Sequence, residues 1–144
     1  MKKHQESNMP VYLFLGFRLL EATFKRHSDE PIKSFGIKIT SSTYDEKTGI
    51  HALTIQFSMM IDQEDESTFV FSSGYKINDF EWYDSFEKKQ IDALFFSVVF
   101  PYIREKIYSL TNDYRGSVDI PIIDLRHADL REGAIFTKAD TQKR

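Results

Sequence analysis

The centre of the chain alternates between apolar and polar residues with a period of two. Between residues 53 and 61 every second residue is apolar, and these residues are Leu53, Ile55, Phe57, Met59 and Ile61. Residues 34–40 and 68–77 follow the same alternation. Successive side chains of a β-strand point to opposite faces, so each segment predicts a strand with one apolar and one hydrated face.

Polar segments connect these predicted strands. Residues 45–49 have the composition of a turn, with a glycine available for a positive φ angle. Short polar links between consecutive strands favour an antiparallel meander. Residues 1–9 predict a flexible N-terminus, residues 10–130 a single domain, and the charged residues 131–144 a C-terminal tail.

The first strand segment, residues 11–24, is apolar on both sides. One predicted face carries Val11, Leu13, Leu15, Phe17 and Leu19. The other carries mainly Tyr12, Phe14, Leu20 and Phe24. A strand of this kind must be covered on both faces. The second cover is either another copy of the chain, with Tyr12, Phe14 and Leu20 in an oligomer interface, or the N-terminal arm or C-terminal segment of the same chain.

From residue 84 the apolar spacing changes to three and four residues, which predicts a long amphipathic helix. Asp84 followed by Glu87 fits the reciprocal capping pattern at a helix start. The apolar stripe continues to Leu110, and Gly116 is the expected stop. Pro101 removes a backbone donor in the middle of the stripe, so it is expected to kink or split the helix.

The composition is that of one globular domain. The 144 residues carry 19 basic and 22 acidic side chains, and the formal charge of −3 gives no electrostatic footprint for nucleic acid or an anionic membrane. The chain has no cysteine, which excludes disulfides and thiolate chemistry. No apolar run approaches the ~20 residues of a membrane span, so a cytoplasmic protein without membrane insertion is expected.

The sequence offers no catalytic or metal-binding pattern. The four histidines, at positions 4, 27, 51 and 127, are scattered over different predicted elements. No nucleophile elbow, phosphate-binding loop or serine beside a histidine is found. We therefore expect no cofactor, no metal and no enzymatic activity.

Two apolar segments are candidates for binding. Residues 80–83 contain an aromatic cluster with Trp82 and Tyr83 in a predicted connection, where aromatic side chains suit an apolar partner. The alternative is that the cluster closes the open end of the core. A second segment contributes Ile120, Pro121, Ile122 and Leu125. It forms one wall of an apolar groove or, alternatively, covers the helix or sheet.

Three segments between Leu53 and Leu125 resemble the family of the bacterial export chaperone SecB. Residues 68–77 are similar to its last strand, with a similarly placed glycine and aromatic residue. Residues 100–105 resemble its helix motif, through Phe100, Pro101, Tyr102, Arg104 and Glu105. Gly116 and the proline-containing residues 120–122 resemble its glycine and Pro/Leu-rich segment. The order and spacing of the three matches carry the resemblance.

The resemblance implies an α+β fold, with a four-stranded antiparallel sheet and a long Pro-kinked helix packed on one face. It also implies homodimers or homotetramers. Two features depart from SecB: residues 128–144 are short and charged where the family has a second helix, and the charge of −3 is less acidic than in the family. The chain thus resembles a SecB-like branch rather than SecB itself.

Two functional hypotheses follow. The first is chaperone-like binding of unfolded or non-native polypeptides in apolar grooves, with a link to protein export implied by the family. The second is a non-enzymatic interaction or structural subunit that binds one folded partner or another copy of itself.

Overall fold

The structure, a computed structural model, describes residues 9–25, 34–60, 66–112, 118, 120 and 130–137. Within these ranges the strands are β1 (Tyr12–Thr23), β2 (Ser34–Asp45), β3 (Ile50–Met60), β4 (Glu66–Ile77) and β5 (Ala134–Thr137). The helices are α1 (Phe80–Asp84) and α2 (Lys88–Leu110). Neither helix is both long and apolar enough to cross a membrane, as far as the described residues show.

The strands form one antiparallel sheet in the order β1-β4-β3-β2-β5. Four long strands with a long helix confirm the predicted α+β fold. Strands β2, β3 and β4 are consecutive neighbours, and Gly49 at φ +72° supports the predicted turn between β2 and β3. The prediction of a complete meander is wrong at β1, which pairs with β4 rather than with β2.

The core lies between one face of the sheet and helix α2. Leu53, Ile55 and Phe57 of β3 are fully buried, as the alternation predicted. Ring contacts carry much of the packing: Phe95 of α2 stacks on Tyr75 of β4 with centroids 4.1 Å apart, and Phe57 lies 6.0 Å from Phe100. Aromatic contacts of this kind stabilise a protein by about 1 kcal/mol each, in addition to the free energy gained by burying their surface.

The predicted division of faces in β1 is wrong because the strand contains a bulge. The register with β4 shifts between Phe14 and Gly16, and Gly16 has φ +118°, which a side chain would disfavour. The extra residue shifts the alternation by one position, so side chains after the bulge point to the faces opposite to those predicted. Phe17 and Leu19 consequently pack on the core with Tyr12 and Phe14. The exposed apolar residues of the strand are Leu13, Leu15 and Leu20.

Strand β2 has a bulge as well, between Ile39 and Ser41. Before it, Ile37 and Ile39 face the core. After it, Ser42 pairs with Leu53 and Tyr44 pairs with His51, both on the buried face of β3. The bulge therefore turns a polar hydroxyl toward the helix.

The helix boundaries differ from the predicted ones. Asp84 ends α1, and the side chain that pairs with the start of α2 is Gln90, which accepts a 2.9 Å hydrogen bond from the backbone N–H of Glu87. Helix α2 continues through Pro101, so the expectation of a split is wrong, while the kink stays a prediction. The helix ends at Leu110, where the Thr111 hydroxyl bonds the Ile107 carbonyl. The expected stop, Gly116, lies outside the described residues.

Part of the segment predicted as a tail belongs to the sheet. Residues 134–137 pair with residues 34–37 of β2, and the Leu130 carbonyl accepts a 2.7 Å hydrogen bond from the N–H of Ile39. The charged composition of residues 131–144 gave no indication of this four-residue edge strand. Of the predicted flexible N-terminus, only residue 9 lies in the described part of the chain.

Candidate functional site

Helix α1 lies across the end of the sheet, and all five of its residues are aromatic or acidic. Its start is fixed by Asp79, whose carboxylate accepts a 3.0 Å hydrogen bond from the N–H of Trp82. The Trp82 ring stacks on Tyr12 of β1 at 5.6 Å, and the Tyr83 ring lies 5.0 Å from Tyr44 of β2. Trp82 and Tyr83 are half-buried, whereas the Phe80 side chain is 50% exposed.

A pocket of about 510 Å³ opens between α1, the start of α2 and strands β2 and β3. We name it the aromatic pocket. Its apolar lining consists of Tyr44, Phe80, Tyr83, Phe86 and Ile91. Charges of both signs line it as well, from Glu46, Asp84, Lys88 and Arg131. Concave apolar sites with a few convergent polar groups are typical of binding sites.

Five side chains from separate segments form one hydrogen-bonded row, the polar chain, and four of them line this pocket. Its members, in order, are Arg131, Asp92, Ser42, His51 and Tyr83. Arg131 pairs with the Asp92 carboxylate through Nε and, at 3.3 Å, through a second nitrogen. Ser42 Oγ lies 2.6 Å from Asp92 Oδ1 and 2.8 Å from His51 Nε2. The Tyr83 hydroxyl lies 2.7 Å from His51 Nδ1.

The polar chain is buried at its centre. Asp92 and His51 are 2% and 3% exposed, so their partners replace water almost completely. Burial lowers the pKa of His51 from 6.5 to about 4, against a smaller opposing effect of the Asp92 charge. Burial also raises the pKa of Tyr83 above 10.0. At neutral pH both rings are therefore uncharged.

The structure brings together only part of the predicted binding set. Trp82 and Tyr83 lie side by side on α1 with their rings packed on the sheet, so the cluster closes the end of the core and lines a pocket at once. Ile120 is 2% exposed and belongs to the core, which fits the alternative that its segment covers the helix. Pro121, Ile122 and Leu125 lie outside the described residues.

Some of the motif residues 100–105 pack against the sheet, and others are exposed at the surface. Phe100 is buried against Phe57, and Tyr102 stacks on Phe14 at 5.4 Å while remaining 48% exposed. Arg104 donates a 2.6 Å hydrogen bond from Nε to the Ile120 carbonyl, which ties that residue to the helix. Pro101 and Glu105 face solvent.

The predicted interface residues lie on different faces of the sheet. Tyr12 and Phe14 contact Trp82, Phe95 and Tyr102 of the same chain. Leu20 is exposed on the strand, together with Leu13 and Leu15. An interface through the open face would thus use the three leucines rather than the two aromatic residues.

Sequence reasoning missed the polar chain, although two signals were present. His51 shares the parity of Leu53 and Ile55, which places it on the apolar face of its strand. Asp92 lies four residues before Phe96, on the apolar stripe of α2. A polar residue on a buried face needs a hydrogen-bond partner. The two positions therefore indicated a buried polar interaction rather than exposure to solvent.

The polar chain differs from a nucleophilic triad. In a triad the histidine lies between the hydroxyl and the carboxylate, whereas here Ser42 lies between Asp92 and His51. Among the described residues, no group of three or more His, Asp or Glu side chains is arranged to hold a metal ion. The expected lack of enzymatic activity stays a prediction.

Comparisons with known proteins identify the fold. No protein-family model and no curated protein matches the sequence. The fold is similar to that of the Mycobacterium tuberculosis Rv1957 SecB-like chaperone, solved with a ChAD peptide from the Rv1956 HigA1 antitoxin. The TM-score is 0.56 at 17% identity, over 78% of this chain and 90% of that chain. A Streptococcus agalactiae protein of unknown function aligns with a TM-score of 0.45 at 12% identity, over 77% and 97% of the chains.

Proposed function

We propose that this protein is a chaperone-like binding module that holds non-native polypeptide segments in the aromatic pocket. The observation that carries the proposal is the pocket itself: its rings stand at the surface, with Phe80 50% and Phe86 36% exposed. The SecB-like fold supports it, since the mycobacterial protein of that fold was solved with a bound peptide. The expected links to export and to the cytoplasm stay predictions.

The chemistry of the pocket suits segments of unfolded polypeptide better than the surfaces of folded proteins. Aromatic rings attract apolar side chains with little directional demand, so many sequences can enter. A segment that buries about 400 Å² of apolar surface gains roughly 10 kcal/mol before the costs of ordering and association. Several linked segments of one client, or several pockets of one homomer, would raise the affinity further.

The test replaces the two exposed rings. The Phe80→Ser/Phe86→Ser double variant keeps the half-buried Trp82 and Tyr83, so the fold is expected to survive. We expect its affinity for a reduced and alkylated model protein, which stays unfolded, to fall about tenfold or more. Suppression of client aggregation, followed by light scattering, should weaken in parallel.

The matched control is Tyr108→Ser, which removes an equally exposed ring, 52% exposed, near the far end of α2. It lies about 20 residues, or roughly 30 Å, along the helix from the pocket. Client binding by this control should equal that of the wild type. Equal losses in the two proteins would show non-specific adhesion, and no loss in either would contradict the proposal.

A second candidate function is supported by the open face of β1. Leu13, Leu15 and Leu20 are 45%, 53% and 45% exposed on one strand, which is suited to contact with a second copy or one folded partner. Replacing the three leucines by serine would then abolish assembly, measured as solution mass by light scattering. Loss of assembly with unchanged capture of unfolded client would separate the two candidates.

A further inference from the structure

The hydrogen bonds of the polar chain have a fixed direction, which begins at Asp92. A carboxylate accepts hydrogen bonds and has no proton to donate when ionised. Asp92 accepts from Arg131 on one side, so the Ser42 hydroxyl, 2.6 Å away, donates to it on the other. Ser42 has a single proton and has thereby used it.

This direction decides the tautomer of His51. Since Ser42 Oγ has no proton left for the 2.8 Å contact, His51 Nε2 must carry one and donate it. The neutral ring then has an unprotonated Nδ1. The Tyr83 hydroxyl, 2.7 Å from Nδ1, is consequently the donor of the last hydrogen bond.

Helix α1 depends on that last hydrogen bond. It has five residues, none of them fully buried, and a helix of this length is not stable on its own. Its contacts with the sheet include the Trp82 stack on Tyr12, the ring contacts of Phe80 and Tyr83 with Tyr44, and the edge contact and hydrogen bond of Tyr83 with His51. Among the hydrogen bonds of the described residues, the bond to His51 is the directional link from α1 to the buried part of β3.

We propose that Asp92 is a positioning residue for the aromatic pocket: through Ser42 and His51, its carboxylate fixes Tyr83 as a hydrogen-bond donor and holds helix α1 against the sheet. Arg131 in turn positions the carboxylate. Arg131 follows Leu130, which is bonded to β2, and it lines the aromatic pocket itself, so the segment before β5 takes part in shaping that pocket. The proposal rests on the proposed function only for its effect on client binding.

The first test reads the tautomer of His51 by two-bond ¹⁵N–¹H correlation at pH 7, with the signal assigned through His51→Gln. The wild type should show the ring protonated at Nε2. Asp92→Asn replaces an acceptor by a group that also donates, so Ser42 can turn its proton toward His51. The form protonated at Nδ1 should then become populated. Ser42→Ala should have the same effect, and Ser42→Thr should restore the wild-type tautomer.

The second test uses Trp82, the single tryptophan of the chain, as a reporter of α1. Its quenching by acrylamide should increase in Ser42→Ala and in Tyr83→Phe. Ser42 and Tyr83 are joined through His51, so the double variant should be quenched no more than Tyr83→Phe alone. A purely structural effect of each substitution would give additive increases. Asp92→Asn removes the ion-pair partner of Arg131. If this variant fails to fold, Ser42→Ala, which keeps the ion pair, provides the test instead.

Client binding completes the test and separates the two proposals. Loss of one anchoring hydrogen bond should weaken binding of the unfolded model protein about fivefold in Ser42→Ala. If the wild type binds no client, the proposed function fails, while the tautomer and quenching results still decide the role of Asp92. A wild-type ring protonated at Nδ1, or an unchanged tautomer in both Asp92→Asn and Ser42→Ala, would overturn the positioning role.

Discussion

The two helices of the described chain are held against the same sheet by different forces. Helix α2 has 23 residues and buries eight of them, among them Phe95, Phe96 and Ile103. Helix α1 has five residues, buries none fully, and relies on a few ring contacts and a hydrogen bond to His51. Helix α2 is therefore held mainly by its buried apolar area, whereas α1 is held by a few contacts of defined geometry.

This difference indicates where the molecule can change shape. Apolar contacts are numerous and non-directional, so the attachment of α2 does not depend on any single contact. The hydrogen bonds of the polar chain are few and depend on the protonation of each neighbour. The pocket that we propose as the binding site therefore lies beside a helix that is attached by few contacts.

The largest expected effect concerns the apolar attachment. Phe95 is fully buried and its ring contacts Tyr75, Tyr12 and His51. Phe95→Ala should lower the free energy of unfolding by about 3–5 kcal/mol, measured by urea titration. Tyr108→Ala on the exposed side of the same helix should cost less than about 1 kcal/mol. Equal costs would show that α2 is not held by its buried face.

The next effect concerns pH and the polar chain. His51 titrates at about 4 in the folded state and near 6.5 when unfolded, so the unfolded chain binds more protons between these values. The stability contributed by neutral His51 is complete above pH 6.5 and is lost as the pH falls through 4. The shift corresponds to about 3 kcal/mol.

Comparison with His51→Gln isolates this contribution, because all the other titratable groups are present in both proteins. Between pH 7 and pH 4 the wild type should lose about 3 kcal/mol more than the variant, measured by urea titration at each pH. Parallel losses in the two proteins would mean that His51 is not buried in the neutral form.

A smaller effect tests the bulge in β1, the strand under both helices. Leu15 and Leu19 have the same parity in the sequence, yet the structure places Leu15 on the open face and Leu19 on the core. Leu19→Ser should lower the free energy of unfolding by about 1–2 kcal/mol, and Leu15→Ser by less than about 0.5 kcal/mol. Similar losses in the two variants would contradict the bulge at Gly16.

The smallest effect concerns the start of α1. Asp79 caps the helix, so Asp79→Ala should cost about 1 kcal/mol or less and increase the quenching of Trp82. Asp84, which the sequence pattern predicted as a cap, lies instead at the C-terminal end of α1, where a negative charge is unfavourable. Asp84→Ala is therefore the matched control and should neither destabilise the protein nor increase the quenching of Trp82. The reverse result would restore the predicted helix start.

The local part of the fold could be predicted because it follows from short-range periodicity. The alternation in β3 correctly gave the buried face, down to Leu53, Ile55 and Phe57, and the stripe of α2 gave its packing face. The aromatic residues Trp82 and Tyr83 were identified as candidates because they form a cluster in a predicted connection, which the structure shows to be helix α1. Where β1 departs from prediction, a single glycine and one extra residue reverse the faces, and no periodicity carries that information.

The sequence by itself determined which residues are apolar and how they repeat, and therefore the type of each main element and most of the core. Only the tertiary structure decided that Ser42, His51, Tyr83, Asp92 and Arg131, which are spread over 90 positions, meet in one row. The physical reason is that hydrophobic periodicity is a property of neighbours along the chain. A buried hydrogen bond depends instead on strand order, bulges and the closure of distant segments.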